Sequence, residues 1–232
     1  MSCRFCGHEL KEIVSFGEIP IANGFVKSAG DSVSTFEQVL SVCSSCLLVQ
    51  LRDQPDEEAM FHENYAYLSS LSTYMTNHFA QTFDSIKDEY LNDENSVIVE
   101  LGCNDGIFLK NAVKYNINHL GFEPSRNVAD LAREKGINVS CEFFTKDNAA
   151  KRKKELGEAN VVYSANVFCH IPYINDIIDG LSEILCDSGV FIFEDPYLLD
   201  IMKKTSYDQI YDEHAFYFSL ISVSNVFEHY GF

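Results

Sequence analysis

VIVELGCNDG (97–106) decides how the rest of the chain reads. Val97, Ile98 and Val99 begin a short apolar run that carries Glu100 and ends at Leu101, the length and composition of a buried strand. Gly102, Asn104, Asp105 and Gly106 then form a turn. Small residues there let the backbone approach a ligand at the carboxyl end of the strand. A helix is expected from about residue 106 to 115.

Working outward, HLGFE (119–123) reads as the next strand and NVADLAREKG (127–136) as a helix closed by Gly136. INVS (137–140) is a third strand and VVYSAN (161–166) a fourth. A helix is expected over about 172–186, and GVFIFED (189–195) is a fifth strand. Strands alternating with helices predict a parallel sheet covered on both faces, an α/β Rossmann-like domain. Upstream, Met75, Phe79, Phe83, Ile86 and Tyr90 fall at helical spacing, which predicts an amphipathic helix over 73–91.

The turn also suggests a ligand. Glu123 ends the second strand, where a carboxylate can accept hydrogen bonds from ribose hydroxyls. The turn is not the G-x-G-x-x-G pattern that grips a pyrophosphate. A glycine turn preceded by the acid Glu100 suits S-adenosylmethionine (SAM), which has an amino-acid end and no phosphate. Glu100, Gly102, Asn104, Asp105, Gly106, Glu123 and Pro124 are therefore candidate cofactor residues. Phe143 and Phe144 follow the third strand, where an adenine could be sandwiched, although aromatic residues there more often fill the core. Asn166, at the end of the fourth strand, is a further candidate because such strand ends open into a cleft.

Residues 1–60 read as a small β-rich module. VSFGEIPIANGF sets turn-forming residues between short apolar stretches, and TFEQVLSVCSSCLLVQL reads as a hairpin. Two C-x-x-C pairs, Cys3/Cys6 and Cys43/Cys46, can supply four thiolates to one structural zinc ion. Gly7 directly after Cys6 fits the tight turn of a zinc knuckle. Four sulfurs leave no open position, so the expected role is in folding. Cys103, Cys141, Cys169 and Cys186 are scattered through apolar sequence and read as buried hydrophobes with no metal or disulfide role.

The formal net charge is −18, and the one basic cluster is Lys151–Lys154. That balance argues against nucleic acid as a partner. It does not exclude a nucleotide sugar, whose diphosphate a helix N-terminus and one or two cations can hold. No apolar run reaches the roughly 18 residues of a membrane span, and the N-terminus has no signal-peptide pattern. A soluble, cytoplasmic and monomeric protein is expected.

The segment SYDQIYDEHAFYFSL carries a dense titratable cluster. Histidine is the usual general base near neutral pH, a nearby Glu can orient it, and a Tyr could hydrogen-bond an oxyanion. Composition alone favours a solvated loop with satisfied side chains there.

Taken together, these motifs resemble the sugar C-methyltransferases of deoxysugar pathways, which act on nucleotide-linked 4-keto sugars. CRFCG and CSSCLLVQL look like that family's zinc-binding region, with Leu47 where a glycine is usual. ENYAYLSSLSTYMTNH (63–78) looks like its linker motif, and VIVELGCNDGIFL and GFEPS like its SAM motifs. ANVFCHIP (165–172) and YDQIYDEHAFYFSL (207–220) look like its active-site motifs. The resemblance implies a class I SAM methyltransferase domain preceded by the zinc module. It implies His214 as general base, Tyr211 and Glu213 as its neighbours, and His170 and Tyr65 as further active-site side chains. Asp212 stands where a histidine is common. The implied arrangement is a zinc module (1–60), a linker and helix (61–95), a SAM-binding domain (96–200), and an active-site segment (201–232) that starts a C-terminal region continuing further in the family. The implied activity is C-methylation through an enolate. O- or N-methylation of another small metabolite, or SAM and zinc binding without catalysis, are the alternatives.

Overall fold

The computed structural model describes residues 1–22, 25–26, 28–55 and 67–232. They fall into two compact units that interleave along the chain. One comprises Met1–Met60, Asn166–Asn175 and Asp195–Phe232; the other comprises Phe61–Ala165 and Asp176–Glu194.

The second unit holds a five-stranded sheet of β4 (Val97–Leu101), β5 (Asn118–Phe122), β6 (Val139–Ser140), β7 (Ala159–Ala165) and β8 (Leu185–Glu194). The order is β6-β5-β4-β7-β8 and every pairing is parallel. β5 lies on one side of β4 and β7 on the other, so the winding reverses there. A doubly wound sheet opens a crevice at the carboxyl end of such a strand, which is where Gly102–Gly106 follow.

Helices α1 (Thr73–Tyr90), α2 (Lys110–Tyr115), α3 (Arg126–Glu134), α4 (Lys146–Leu156) and α5 (Ile174–Ile184) accompany these strands. The predicted face of α1 is realised: Phe79, Phe83 and Ile86 are buried, and Met75 and Tyr90 pack at the core's edge. Ser72 caps the helix by accepting the Met75 N–H. Phe108 stacks on Tyr163 at 4.0 Å and packs edge-on against Phe83 at 5.1 Å.

Some boundaries move. The helix expected from about 106 begins at Lys110, because the residues before it are spent in turns that bury Ile107, Phe108 and Leu109. The third strand shrinks to Val139–Ser140, and the fifth starts earlier, at Leu185.

The first unit holds an antiparallel sheet in the order β1-β2-β3-β9, made of β1 (Leu10–Pro20), β2 (Thr35–Cys43), β3 (Val49–Leu51) and β9 (Phe216–Tyr217). β3 lies between chain segments distant in sequence: Val49 pairs with Val42 and with Tyr217. Leu40, Val49, Leu51 and Tyr217 form its core with Ile201 of α6 (Leu198–Lys204). The unit ends in α7 (Leu220–Glu228), whose Ser219 and Ser222 make a reciprocal cap. Among the described residues, no helix is long and apolar enough to cross a membrane.

Candidate functional site

The glycine turn in the second unit is built around buried acids. Glu123 leaves the end of β5 and faces the turn, accepting the Asn104 N–H at 3.1 Å and the Ser125 N–H at 2.8 Å. Burial raises its pKa, opposed by those same N–H bonds. Glu100, in β4, is buried, with one carboxylate oxygen lacking a hydrogen-bond partner. Its pKa is pushed well up by burial first and then by the charges of Glu123 and Asp105. An acidic, water-poor cradle of this kind suits a ligand that brings positive charge.

The turn residues divide their work. Gly102, at φ +63, and Asn104, at φ +49, take the left-handed conformation that small or amide side chains tolerate. Asn104 accepts the Ser69 N–H at 3.0 Å and donates to the Tyr67 carbonyl at 3.1 Å. Asp105 accepts from Ser70, through backbone N–H and hydroxyl, and from Lys135 Nζ at 3.0 Å. Both side chains therefore hold the segment before α1 onto the turn. Gly106 is small for a packing reason: a Cβ there would collide with Ile137 and crowd Ala132. Phe144 is buried, edge-on to Phe122 at 5.1 Å, and so belongs to the core. Phe143 is half-buried, with its carbonyl taken by Asn148. Pro124 is half-buried beside Glu123, and its carbonyl accepts from the Cys141 thiol.

One polar network escaped the sequence reading. Glu194, the last residue of β8, accepts the Tyr163 hydroxyl at 2.6 Å and faces His78 Nε2 at 2.9 Å. Tyr163 is level with Glu100 in the sheet, so the network lies in the same region as the turn. An acid ending an apolar strand was the available signal.

In the first unit the four paired cysteines converge. Their sulfurs all lie within 4.8 Å of one another, with Cys3–Cys46 at 3.7 Å and Cys6–Cys43 at 3.4 Å. Tetrahedral zinc with Zn–S bonds of about 2.3 Å requires sulfurs roughly 3.8 Å apart, so this set fits the ion. All four are free cysteines. Burial is outweighed at Cys43 by backbone N–H bonds from Cys46 and Ser45 and by contacts with the Cys6 and Cys46 thiols, which bring it down to about 7, whereas burial pushes the Cys6 and Cys46 thiols up. Gly7 turns the first knuckle at φ +73 and Leu47 the second at φ +62. Gln50 of β3 donates to Cys3 Sγ at 3.2 Å and accepts the Arg4 N–H at 3.0 Å.

The same unit brings the histidines together. The His170 and His214 rings lie 4.9 Å apart, and Tyr211 is 4.4 Å from His214. His214 is buried, with Nδ1 2.8 Å from the Gln209 carbonyl. A carbonyl only accepts, so Nδ1 carries the proton and the lone pair sits on Nε2. Burial lowers the His214 pKa despite that bond. Burial, and then His214 itself, pushes His170 down to about 3. Both rings are thus held neutral, the state in which an imidazole can accept a proton.

Asp212 is occupied elsewhere. Its carboxylate accepts the Ala22 N–H at 2.8 Å and its carbonyl accepts Gln54 Nε2 at 2.9 Å, which ties the loop to the N-terminal module. Glu213 is buried. Asn166 is exposed at φ +53 and falls in the unit that carries the histidines, not the unit that carries the glycine turn. Tyr65 lies outside the described residues. Asp195, not anticipated, accepts the Cys169 N–H at 2.9 Å and so anchors the turn bearing His170.

The comparisons divide the chain in sequence order, across the boundaries of the two units. A family model described as a methyltransferase domain matches residues 74–232, and a zinc binding domain model matches residues 3–61. C-methyltransferase NovU from Streptomyces niveus is 31% identical over 232 residues, 99% of this chain and 55% of that protein. The chain therefore spans little more than half the length of that relative. Among solved structures, a SAM-dependent methyltransferase from Archaeoglobus fulgidus superimposes with a TM-score of 0.55 at 14% identity, covering 68% of this chain and 69% of that one. The plantazolicin methyltransferase BpumL, in complex with SAH, gives 0.53 at 16% identity, over 68% and 64%. The fold is that of the SAM-dependent methyltransferases.

Proposed function

This chain belongs to the methyltransferase domain family, and on that premise we propose that it moves the methyl group of SAM onto a carbon beside the ketone of a nucleotide-linked 4-keto deoxysugar. The observation that carries this reading is His214, a buried neutral imidazole with Nδ1–H pinned to Gln209 and Nε2 left as a base.

A hydrogen beside a ketone is acidic because the charge left behind spreads onto oxygen. His214 Nε2 takes that proton, and Glu213 stabilises the imidazolium that forms. Tyr211 hydrogen-bonds the enolate oxygen. His170, kept neutral, adds no competing positive charge beside the base. SAM, when bound, supplies an electrophilic methyl group on a sulfonium to the enolate carbon. Glu100 balances the cofactor's positive charge and Glu123 holds its ribose hydroxyls. Zinc on the four thiolates supplies folding energy and takes no part in the chemistry. The C-methyltransferase among the relatives supports carbon as the acceptor.

The test is exchange of the proton beside the ketone in deuterated water, run with transfer from labelled SAM. Native protein exchanges and transfers. His214→Ala loses both by at least the roughly 10²–10⁴-fold of general base catalysis, with SAM affinity essentially unchanged. Transfer without exchange would assign the protein to oxygen or nitrogen methylation. SAM binding with neither would leave a binding module.

A further inference from the structure

We propose that Cys169, His170 and His214 form a second metal site, which takes a soft divalent cation such as Zn²⁺ and, when filled, silences the base. The proposal rests on the reading of His214 given above.

One thiol and two imidazoles are a donor set that zinc and its soft neighbours prefer. One ligand atom from each residue lies within 4.8 Å of the others. Bonds of about 2.0–2.3 Å to a tetrahedral ion set donors roughly 3.3–3.6 Å apart, so small side-chain rotations close the site.

Two supports are already in place. Asp195 accepts the Cys169 N–H at 2.9 Å and fixes the Phe168–His170 turn that presents two of the donors. A metal-bound imidazole ordinarily gives its other N–H to a carbonyl or carboxylate, and Gln209 takes that of His214 at 2.8 Å. The set shares no residue with the four-thiolate centre. Cys169, which the sequence reads as a plain buried hydrophobe, thus acquires a chemical role.

Three protein donors leave a fourth position open. On binding, the buried Cys169 thiol gives its proton to solvent by way of the Asp195 carboxylate it hydrogen-bonds, and its sulfur bonds the cation. Each neutral imidazole has one lone pair, so a cation on His214 and a proton on His214 are alternatives. Filling the site therefore removes the base without unfolding the protein.

The test starts from the full chain with its four-thiolate centre loaded with zinc, and Co²⁺ is the probe. The expected result is one further equivalent bound, with tetrahedral cobalt bands and a thiolate-to-cobalt charge-transfer band. Proton exchange on a nucleotide-linked 4-keto sugar should fall as the site fills and return on mild chelation. Cys169→Ser should remove the charge-transfer band and weaken cobalt binding by at least the roughly 10–100-fold that loss of an outer-shell partner costs. His170→Gln, a second variant that leaves the thiol in place, should weaken it similarly. No equivalent beyond the zinc, or cobalt inhibition unaltered in both variants, would overturn the site. Faster exchange with cobalt bound would overturn the silencing. Exchange that survives in His214→Ala would sink the base assignment instead, a result the cobalt stoichiometry of the native chain does not depend on.

Discussion

Glu123 and Glu100 are both buried acids beside one turn, yet they are held differently. Glu123 accepts two backbone N–H groups, while Glu100 has an oxygen with no partner. Glu123→Ala should weaken SAM binding by about 1.5–3 kcal/mol, the range of a hydrogen bond to a charged group. Calorimetry measures it, and Glu123→Gln, which keeps one acceptor, should fall between. Unchanged affinity in both variants would remove the ribose role. For Glu100 the pKa is raised in the folded chain, so its contribution to stability is whole below the ordinary 4.5 and drains away as pH rises through the folded value. Glu100→Gln escapes that drain. The variant's melting temperature should therefore exceed the native one by a margin that grows with pH above 4.5, up to about 1–3 kcal/mol of stability. A margin flat with pH would show that Glu100 is not a strained buried acid. The same variant should bind SAM less well under the proposed pairing of Glu100 with the cofactor's positive charge.

At the scale of elements, Leu47 shows how a local departure in sequence becomes a geometric one. Leu47 stands where a glycine is usual, and it takes φ +62 in the second zinc knuckle while its side chain stays largely exposed. The left-handed region costs a residue with a Cβ about 1–2 kcal/mol, and glycine returns roughly 0.5–1 kcal/mol of that through its freer unfolded chain. Leu47→Gly should therefore stabilise the first unit by about 0.5–1 kcal/mol, read from chemical denaturation with zinc bound. A loss of stability would mean that Leu47 packs more than its exposure suggests. The parallel strands, α1 and the cysteine pairs were legible because each signal is local: an apolar run, a helical period, a C-x-x-C. The late start of α2 was not, because Asn104 and Asp105 in the turn before it are bound to Tyr67, Ser69 and Ser70, partners some 35 residues away. The two-residue β9 was invisible for the same reason, since only its pairing with β3 makes it a strand. The titratable residues of the histidine cluster could be picked out singly. That Asp212 would anchor Ala22 could not be foreseen across 190 residues.

On the scale of the whole molecule, the chain does not run domain after domain. The sequence reading set a zinc module first and an active-site segment last, and the structure places both in one unit with one sheet. β3 is the link. Its Gln50 donates to Cys3 Sγ on one side and pairs with Phe216 on the other, and Leu51 N–H bonds the Ala215 carbonyl, next to His214. The four cysteines are thus a few hydrogen bonds from His214, the proposed base, while the glycine turn has its own core of Phe79, Phe83, Ile98, Phe108 and Val161. Stripping zinc should therefore act unequally. Without the ion, four thiols gathered in one place lose their reason to stay, and the β2-β3-β9 pairing loosens with them. Hydrogen exchange should rise first at Leu48–Leu51 and Ala215–Tyr217, and methyl transfer should stop. SAM affinity, measured by calorimetry on the same sample, should change by less than about threefold, because a unit with its own core keeps its local stability. Restoring zinc should restore protection and activity together. If SAM binding collapses along with transfer, the two units fold as one, and the four cysteines support the entire chain rather than the part that carries His214.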